Sequence, residues 1–122
     1  MIIDHIGFAI SDSEKSNDFY TKSLAPLGIV KIMEYDGWSG YGRNGKPEFW
    51  FGEALKAIDP MHIAFSADNR DQVRKFYEAA LAAGGKDNGG PGIREEYHAN
   101  YYGAFVIDPD GHNIEAVCHT PE

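Results

Sequence analysis

Residues 61–86 repeat residues 4–29. Sliding "MHIAFSADNRDQVRKFYEAALAAGGK" over "DHIGFAISDSEKSNDFYTKSLAPLGI" sets His62 on His5, Ile63 on Ile6 and Phe65 on Phe8. It also sets Phe76 on Phe19, Tyr77 on Tyr20, Leu81 on Leu24, Ala82 on Ala25 and Gly85 on Gly28. A chain that spells one unit twice is expected to fold as two similar modules. Neither half carries enough apolar surface to stand alone, so the two must pair.

Each copy opens with a strand rich in β-favouring residues, Ile2 to Ile10 and Met61 to Ala67. Polar capping residues follow, Ser11 to Ser13 in one copy and Asp68–Asn69 in the other, and then a helix. In the second helix Val73, Phe76, Tyr77, Ala80 and Leu81 form a one-sided apolar stripe. The first helix places Ser16, Phe19, Tyr20, Ser23 and Leu24 at the same spacing, and glycines (Gly28; Gly84 and Gly85) stop both. Downstream, "IVKIMEYD", "WSGYGRN" and "EFWFGEA" read as strands, with Asn44-Gly45 a hairpin turn. The second copy has a Gly-rich loop, then "YYGAFVID", a "PDG" turn and "NIEAVCH", so that Gly45 faces Asp110 and Trp50 faces Glu115. The expectation is an α+β fold of two paired βαβββ modules in one domain spanning 1–122. Module one covers 1–52, a linker 53–60, and module two 61–122.

Composition narrows the partners. With 43% hydrophobic and 13% aromatic residues the chain can build a core. Its formal charge is -8 and its 11 Lys and Arg are scattered, which excludes nucleic acid as the main partner. A single cysteine, Cys118, forbids an intrachain disulfide and reads as a small buried hydrophobe. The N-terminal stretch lacks the form of a signal peptide, and no apolar run reaches the roughly 18 residues of a membrane span. A soluble, cytoplasmic protein is therefore expected.

Strand alternation places His5 with Ile3, Gly7 and Ala9, and His62 with Ala64 and Ser66, opposite the large apolar rows. Small neighbours leave room for a cavity on those faces. In the last strand Glu115 shares a face with Asn113 and Val117. Two imidazoles and a carboxylate are the donor set of a 2-His-1-carboxylate centre for Fe, Mn, Zn or Ni. A strand histidine also serves as an ordinary hydrogen-bonded residue, and a duplication copies it whatever its use. Glu115 is the independent signal, because a carboxylate within "NIEAV" is costly unless paired or ligated.

The doubled "DHIGFAISD…FY…LAPLG", the "FWFGE" strand and the closing "FVIDPDGHNIEAV" resemble the vicinal oxygen chelate superfamily. That group includes glyoxalase I, extradiol dioxygenases, fosfomycin-resistance proteins, methylmalonyl-CoA epimerase and bleomycin-resistance proteins. The resemblance implies a mixed sheet curled around a central cavity, and a homodimer that often completes each site. It also implies a divalent metal (Zn, Fe, Mn or Ni) that polarises neighbouring oxygens of a small substrate. Ligands would come from the first, fourth, fifth and eighth strands, here His5, Trp50, His62 and Glu115. Three are competent donors and Trp50 is not, so the fourth place departs from the glyoxalase and epimerase pattern. Glu48 and Glu53 flank it and would supply a carboxylate only if the strand register shifted.

The function so implied is a metal-dependent lyase, isomerase or dioxygenase acting on a small vicinally oxygenated substrate. The alternatives are a bleomycin-resistance-like protein that binds a drug or metabolite without turnover, and a metal-free relic whose histidines only hydrogen-bond. "IREEYHANYYGAF" supplies the acid–base candidates His98, Tyr101 and Tyr102. Substrate contacts are expected from Trp50, Arg94, Tyr41 and Tyr102, with Arg43 and Trp38 of similar standing. His112, in the turn, is expected to be exposed. His119 lies four residues beyond Glu115, about 13 Å by strand rise, too far to share its metal.

Overall fold

The computed structural model describes residues 3–54 and 59–122. Module one runs β1 (Ile6–Ile10), α1 (Ser13–Leu24), a 3-10 turn (Ala25–Leu27), β2 (Val30–Tyr35), β3 (Trp38–Arg43) and β4 (Lys46–Glu53). Module two runs β5 (His62–Ser66), α2 (Arg70–Ala82), β6 (Lys86–Asp87), β7 (Gly92–Ile93), β8 (Tyr102–Ile107) and β9 (Asn113–Cys118). The strand at the end of module one reaches Glu53, one residue into the stretch expected as linker; residues 55–58 of that stretch lie outside the described residues.

Local chemistry sets these boundaries. The Asp12 carboxylate accepts from the Lys15 N–H and the Asn69 side chain from the Gln72 N–H, capping the two helices. Asn44 and Gly45, at φ 54 and 78, form the left-handed pair of the β3–β4 hairpin; Asp36 and Gly37, at φ 51 and 81, do the same between β2 and β3.

Each module forms its own mixed sheet. The orders are β1-β4-β3-β2 and β5-β9-β8-β6, with β7 also pairing β8. β1 runs parallel to β4 and β5 parallel to β9, as a helical crossover between them requires. The outer strand of the second sheet is broken in two because the Gly-rich loop interrupts it.

The apolar stripes predicted for the helices face one common core. Phe19, Tyr20 and Leu24 of α1 meet Val73, Phe76 and Ala80 of α2, with Phe8, Phe49 and Phe51 from one sheet and Val106, Ile114 and Ala116 from the other. Across the modules the Tyr20 hydroxyl donates to Asp108 at 2.6 Å, Phe8 lies edge-on to His112, and Phe49 meets Phe65 at 5.0 Å. Fully burying side chains of this size stabilises the fold by roughly 1.5–3 kcal/mol each, which is why the halves hold together. Because the helix-bearing faces are spent on this core, the opposite face of each sheet is turned outward, and there the candidate residues lie.

Candidate functional site

On the second sheet the parallel register sets Ala64 beside Glu115 and His62 beside Asn113. The His62 imidazole leans across the small Ala64, bringing Nε2 to 3.1 Å from Glu115 Oε1. Its Nδ1 is 3.1 Å from the Asn113 carbonyl, which can only accept, so Nδ1 donates there and Nε2 is the nitrogen turned to Glu115. Glu115 is only 1% exposed, whereas the His62 side chain is 51% exposed. The other carboxylate oxygen accepts a short hydrogen bond from the Tyr101 hydroxyl. Burial and the adjacent carboxylate push the Tyr101 pKa well above its usual value, so the hydroxyl remains a donor.

His5 is held in the same sense. Its Nδ1 is 2.9 Å from Asp4 Oδ1, and Asp4 Oδ2 accepts from Lys46 Nζ at 2.8 Å. The Lys46 ammonium, and His5 after it, hold the Asp4 carboxyl below the usual range. His5 therefore also turns Nε2 outward. It lines two cavities. One, about 370 Å³, lies between the sheets and is shared with His62, Phe49 and Phe65. The other, about 390 Å³, sits on the outward face of the first sheet with Gly7, Tyr35, Trp38 and Trp50. Among the described residues no three metal-binding side chains of one chain converge, so His5 is not brought to the His62–Glu115 pair within the chain.

Trp50 occupies the place expected for a fourth donor, and the register keeps it there. Gly7 and Gly40 are its neighbours on the flanking strands. A Cβ on Gly40 would lie 2.9 Å from the Trp50 ring, and one on Gly52 2.6 Å from Trp38. The two indoles thus lie flat on glycine pads as an aromatic floor. Neither flanking carboxylate replaces Trp50: Glu53 accepts from the Ser13 N–H at the start of α1, and Glu48 stands 4.0 Å from Lys46.

Several expected contacts are corrected. Tyr41 faces the helices, is completely buried and bonds through its hydroxyl to Thr21 and Asn17, and it also borders the cavity shared by His5 and His62. Tyr102 also takes the helix side, since alternation gives the site side of β8 to Gly103 and Phe105; Arg70 and Arg74 stack on its ring and Arg74 donates to its hydroxyl. The Arg94 guanidinium is spent on the carbonyls of Gly90 and Gly92 and lies over Phe105, fastening the Gly-rich loop instead of holding an anion. Arg43 similarly joins Leu27 to Ser66 across the modules. His112 is buried, not exposed: its Nδ1 accepts from the Met61 N–H and its own N–H donates to Asp108. Cys118 is buried, as expected. His98 is exposed and meets His119, with their nitrogens 2.6 Å apart. Asp4 and Lys46, which orient His5, carry no signal in the sequence pattern, because only the parallel pairing of β1 with β4 brings Lys46 to Asp4.

The family model for the glyoxalase/bleomycin resistance protein/dioxygenase superfamily matches residues 2–116. The chain belongs to this superfamily. A glyoxalase/bleomycin resistance protein from Albidiferax ferrireducens is 26% identical, with a TM-score of 0.84 over 97% of this chain and 99% of that one. At lower identity, and therefore showing the fold alone, stand a glyoxalase-related enzyme from Fulvimarina pelagi and the oxidase ChaP-H2. The first is 21% identical, TM-score 0.73, over 95% of this chain and 86% of that one. The second is 20% identical, TM-score 0.72, over 98% and 94%. No curated protein matches the chain. Superfamily members are typically metal-dependent, bind small-molecule substrates and are often dimeric. No helix among the described residues is long and apolar enough to cross a membrane.

Proposed function

We propose that this protein is a divalent-metal enzyme of the superfamily. Its ion is held by His62 and Glu115 of one chain and His5 of a second copy, and its substrate is a small molecule with neighbouring oxygens. The observation that carries the reading is the His62–Glu115 pair: Nε2 and Oε1 lie 3.1 Å apart, the spacing of adjacent ligands on one ion, on a carboxylate buried to 1% exposure. The tethering of Nδ1 in both His5 and His62 supports it, since a ligating imidazole commonly hands its other nitrogen to a carboxylate or carbonyl. Two imidazoles and one carboxylate suit Fe, Mn, Zn or Ni. When bound, such an ion supplies Lewis-acid polarisation of the substrate's oxygens in a lyase, isomerase or dioxygenase reaction.

The chain's own residues supply the rest. Tyr101 is a positioning residue, aiming one Glu115 oxygen at His62 by holding the other. Trp38 and Trp50 provide a flat apolar wall against which a planar substrate can stack. Tyr35, Trp38 and Met33 expose large apolar surface on the outward side of the first sheet, which supports a homodimer that covers it. A cytoplasmic location fits the single buried thiol. Trp50 in the fourth place also favours a second reading, in which the cavity binds a drug or metabolite without turnover.

Metal content of untagged protein tests the proposal. Per chain, one equivalent of Fe, Mn, Zn or Ni beyond what His62→Ala retains is expected; wild-type protein that carries and takes up no more of these ions than His62→Ala would overturn it. Tyr101→Phe should weaken metal binding about tenfold, as loss of a partner that orients a ligand does, and should also lower the thermal midpoint by a few degrees, because a buried Glu115 oxygen loses its donor. Unaltered affinity in that variant would remove the positioning role.

A further inference from the structure

A second set of donors lies at the other end of the same sheet. Because Tyr102 pairs with Cys118 across β8 and β9, Tyr101 and His119 follow as neighbours just beyond the ladder. A turn closed by the Tyr101 N–H on the His98 carbonyl folds His98 back over them. The two imidazoles stack, with ring centroids 4.7 Å apart and planes 30° from parallel. His98 Nε2 and His119 Nδ1 face one another at 2.6 Å. Both rings meet Tyr101, with centroids at 5.2 and 5.4 Å, and Tyr97 packs on Tyr101 from outside.

We propose that His98 and His119 form a two-imidazole binding site for a borderline divalent cation such as Ni²⁺, Zn²⁺ or Cu²⁺, distinct from the His62–Glu115 pair. Two metal–nitrogen bonds of about 2.0–2.1 Å from one ion place their nitrogens about 3 Å apart. The pair must open from its present contact and both exposed rings must turn, so that the lone pairs that now face one another converge on one ion. Without metal, one ring donates its N–H to the lone pair of the other. On binding, the donor ring moves that proton to its outer nitrogen, Nδ1 of His98 or Nε2 of His119, and both facing lone pairs go to the ion.

The backbone around the pair suits a chelate. His98 sits in a turn and His119 at the end of a strand, so neither ring is on a free tail, while both are exposed to an incoming ion. Imidazole donors favour Cu²⁺, Ni²⁺ and Zn²⁺ over Mg²⁺ and Ca²⁺, which prefer oxygen. The Tyr101 hydroxyl is committed to Glu115, so its ring separates the two sites and does not join them.

Untagged full-length protein, stripped by a chelator and titrated calorimetrically with Ni²⁺ at neutral pH, tests the assignment. Wild type is expected to show two binding events per chain. His119→Ala and His98→Ala should each lose one event and keep the other, with an unchanged circular dichroism spectrum. Glu115→Ala should lose the other event and keep the one at His98–His119. If His119→Ala and His98→Ala titrate as wild type does, the second site is overturned. If Glu115→Ala alone titrates as wild type does, the second site stands and the proposed catalytic centre falls.

Discussion

Mixed in equal amounts, chains carrying His5→Ala and chains carrying Glu115→Ala are expected to recover the metal binding that neither recovers alone. The reason is geometric. His62 and Glu115 share one sheet and touch, whereas His5 lies just ahead of β1 in the other module and does not join them in a three-donor cluster within the chain. His5 and His62 border one cavity, but no three donors converge within a chain among the described residues, so in the proposed arrangement the third donor comes from a second copy. In a mixed dimer, one site takes His5 from the Glu115→Ala chain and the His62–Glu115 pair from the His5→Ala chain, and is complete. The other site lacks both residues. One metal per mixed dimer is therefore expected, measured at the ligation site by the spectrum of bound Co²⁺ or by activity once a substrate is known. Recovery of nothing in a mixture shown to exchange subunits would mean that each site is built within one chain. Each single variant is expected to lose the ion almost completely, since only two protein donors remain.

Gly42→Ala should cost at least about 3 kcal/mol, at the upper end of overpacking losses. A Cβ at this position would lie 1.9 Å from the Lys46 carbonyl oxygen and 3.2 Å from Ile32. The first contact is backbone, so no rotamer change relieves it; the β3–β4 hairpin must move. For a chain of this length the thermal midpoint is expected to fall by about 10 °C or more. The loss reaches the site as well, because Lys46 on that hairpin holds Asp4 and Asp4 holds His5. Weakened metal binding should therefore accompany lower stability. A thermal midpoint within a degree or two of wild type would show that the hairpin can relax at little cost.

Much of the fold was legible because repetition and periodicity are local properties. The helical stripes, the Asp12 and Asn69 caps and the Asn44-Gly45 turn all follow from residues within a few positions of one another. Which residues share a sheet face was legible for the same reason, and it correctly set His62 beside Ala64 and near Glu115. What the sequence hides is what lies across from a residue. Tyr41 and Tyr102 have chemistry suited to a substrate, but both strands turn them toward the helices. Arg94 has a charge suited to an anion, but the loop it belongs to takes its hydrogen bonds first. His112 stands in a polar turn, yet the packing of the two modules buries it against Phe8. The strand spacing that parts His119 from Glu115 carries no sign of the turn that brings His98 to it.

The sequence by itself determined that there are two modules, that each carries a histidine at the head of its opening strand (His62 as the first residue of β5, His5 just before β1), and that one carboxylate stands in an apolar strand opposite a tryptophan in the sister module. Those facts depend on order and period, which the chain carries residue by residue. Only the tertiary structure decided that His62 and Glu115 meet, that Tyr101 and Asn113 orient them, and that His5 faces elsewhere, held by Asp4 and Lys46. Those relations depend on how two sheets choose the faces they bury. Hydrophobic burial spends the helix-bearing faces on a common core, and the donors are left at its margin, His62 and Glu115 on one sheet and His5 ahead of the other.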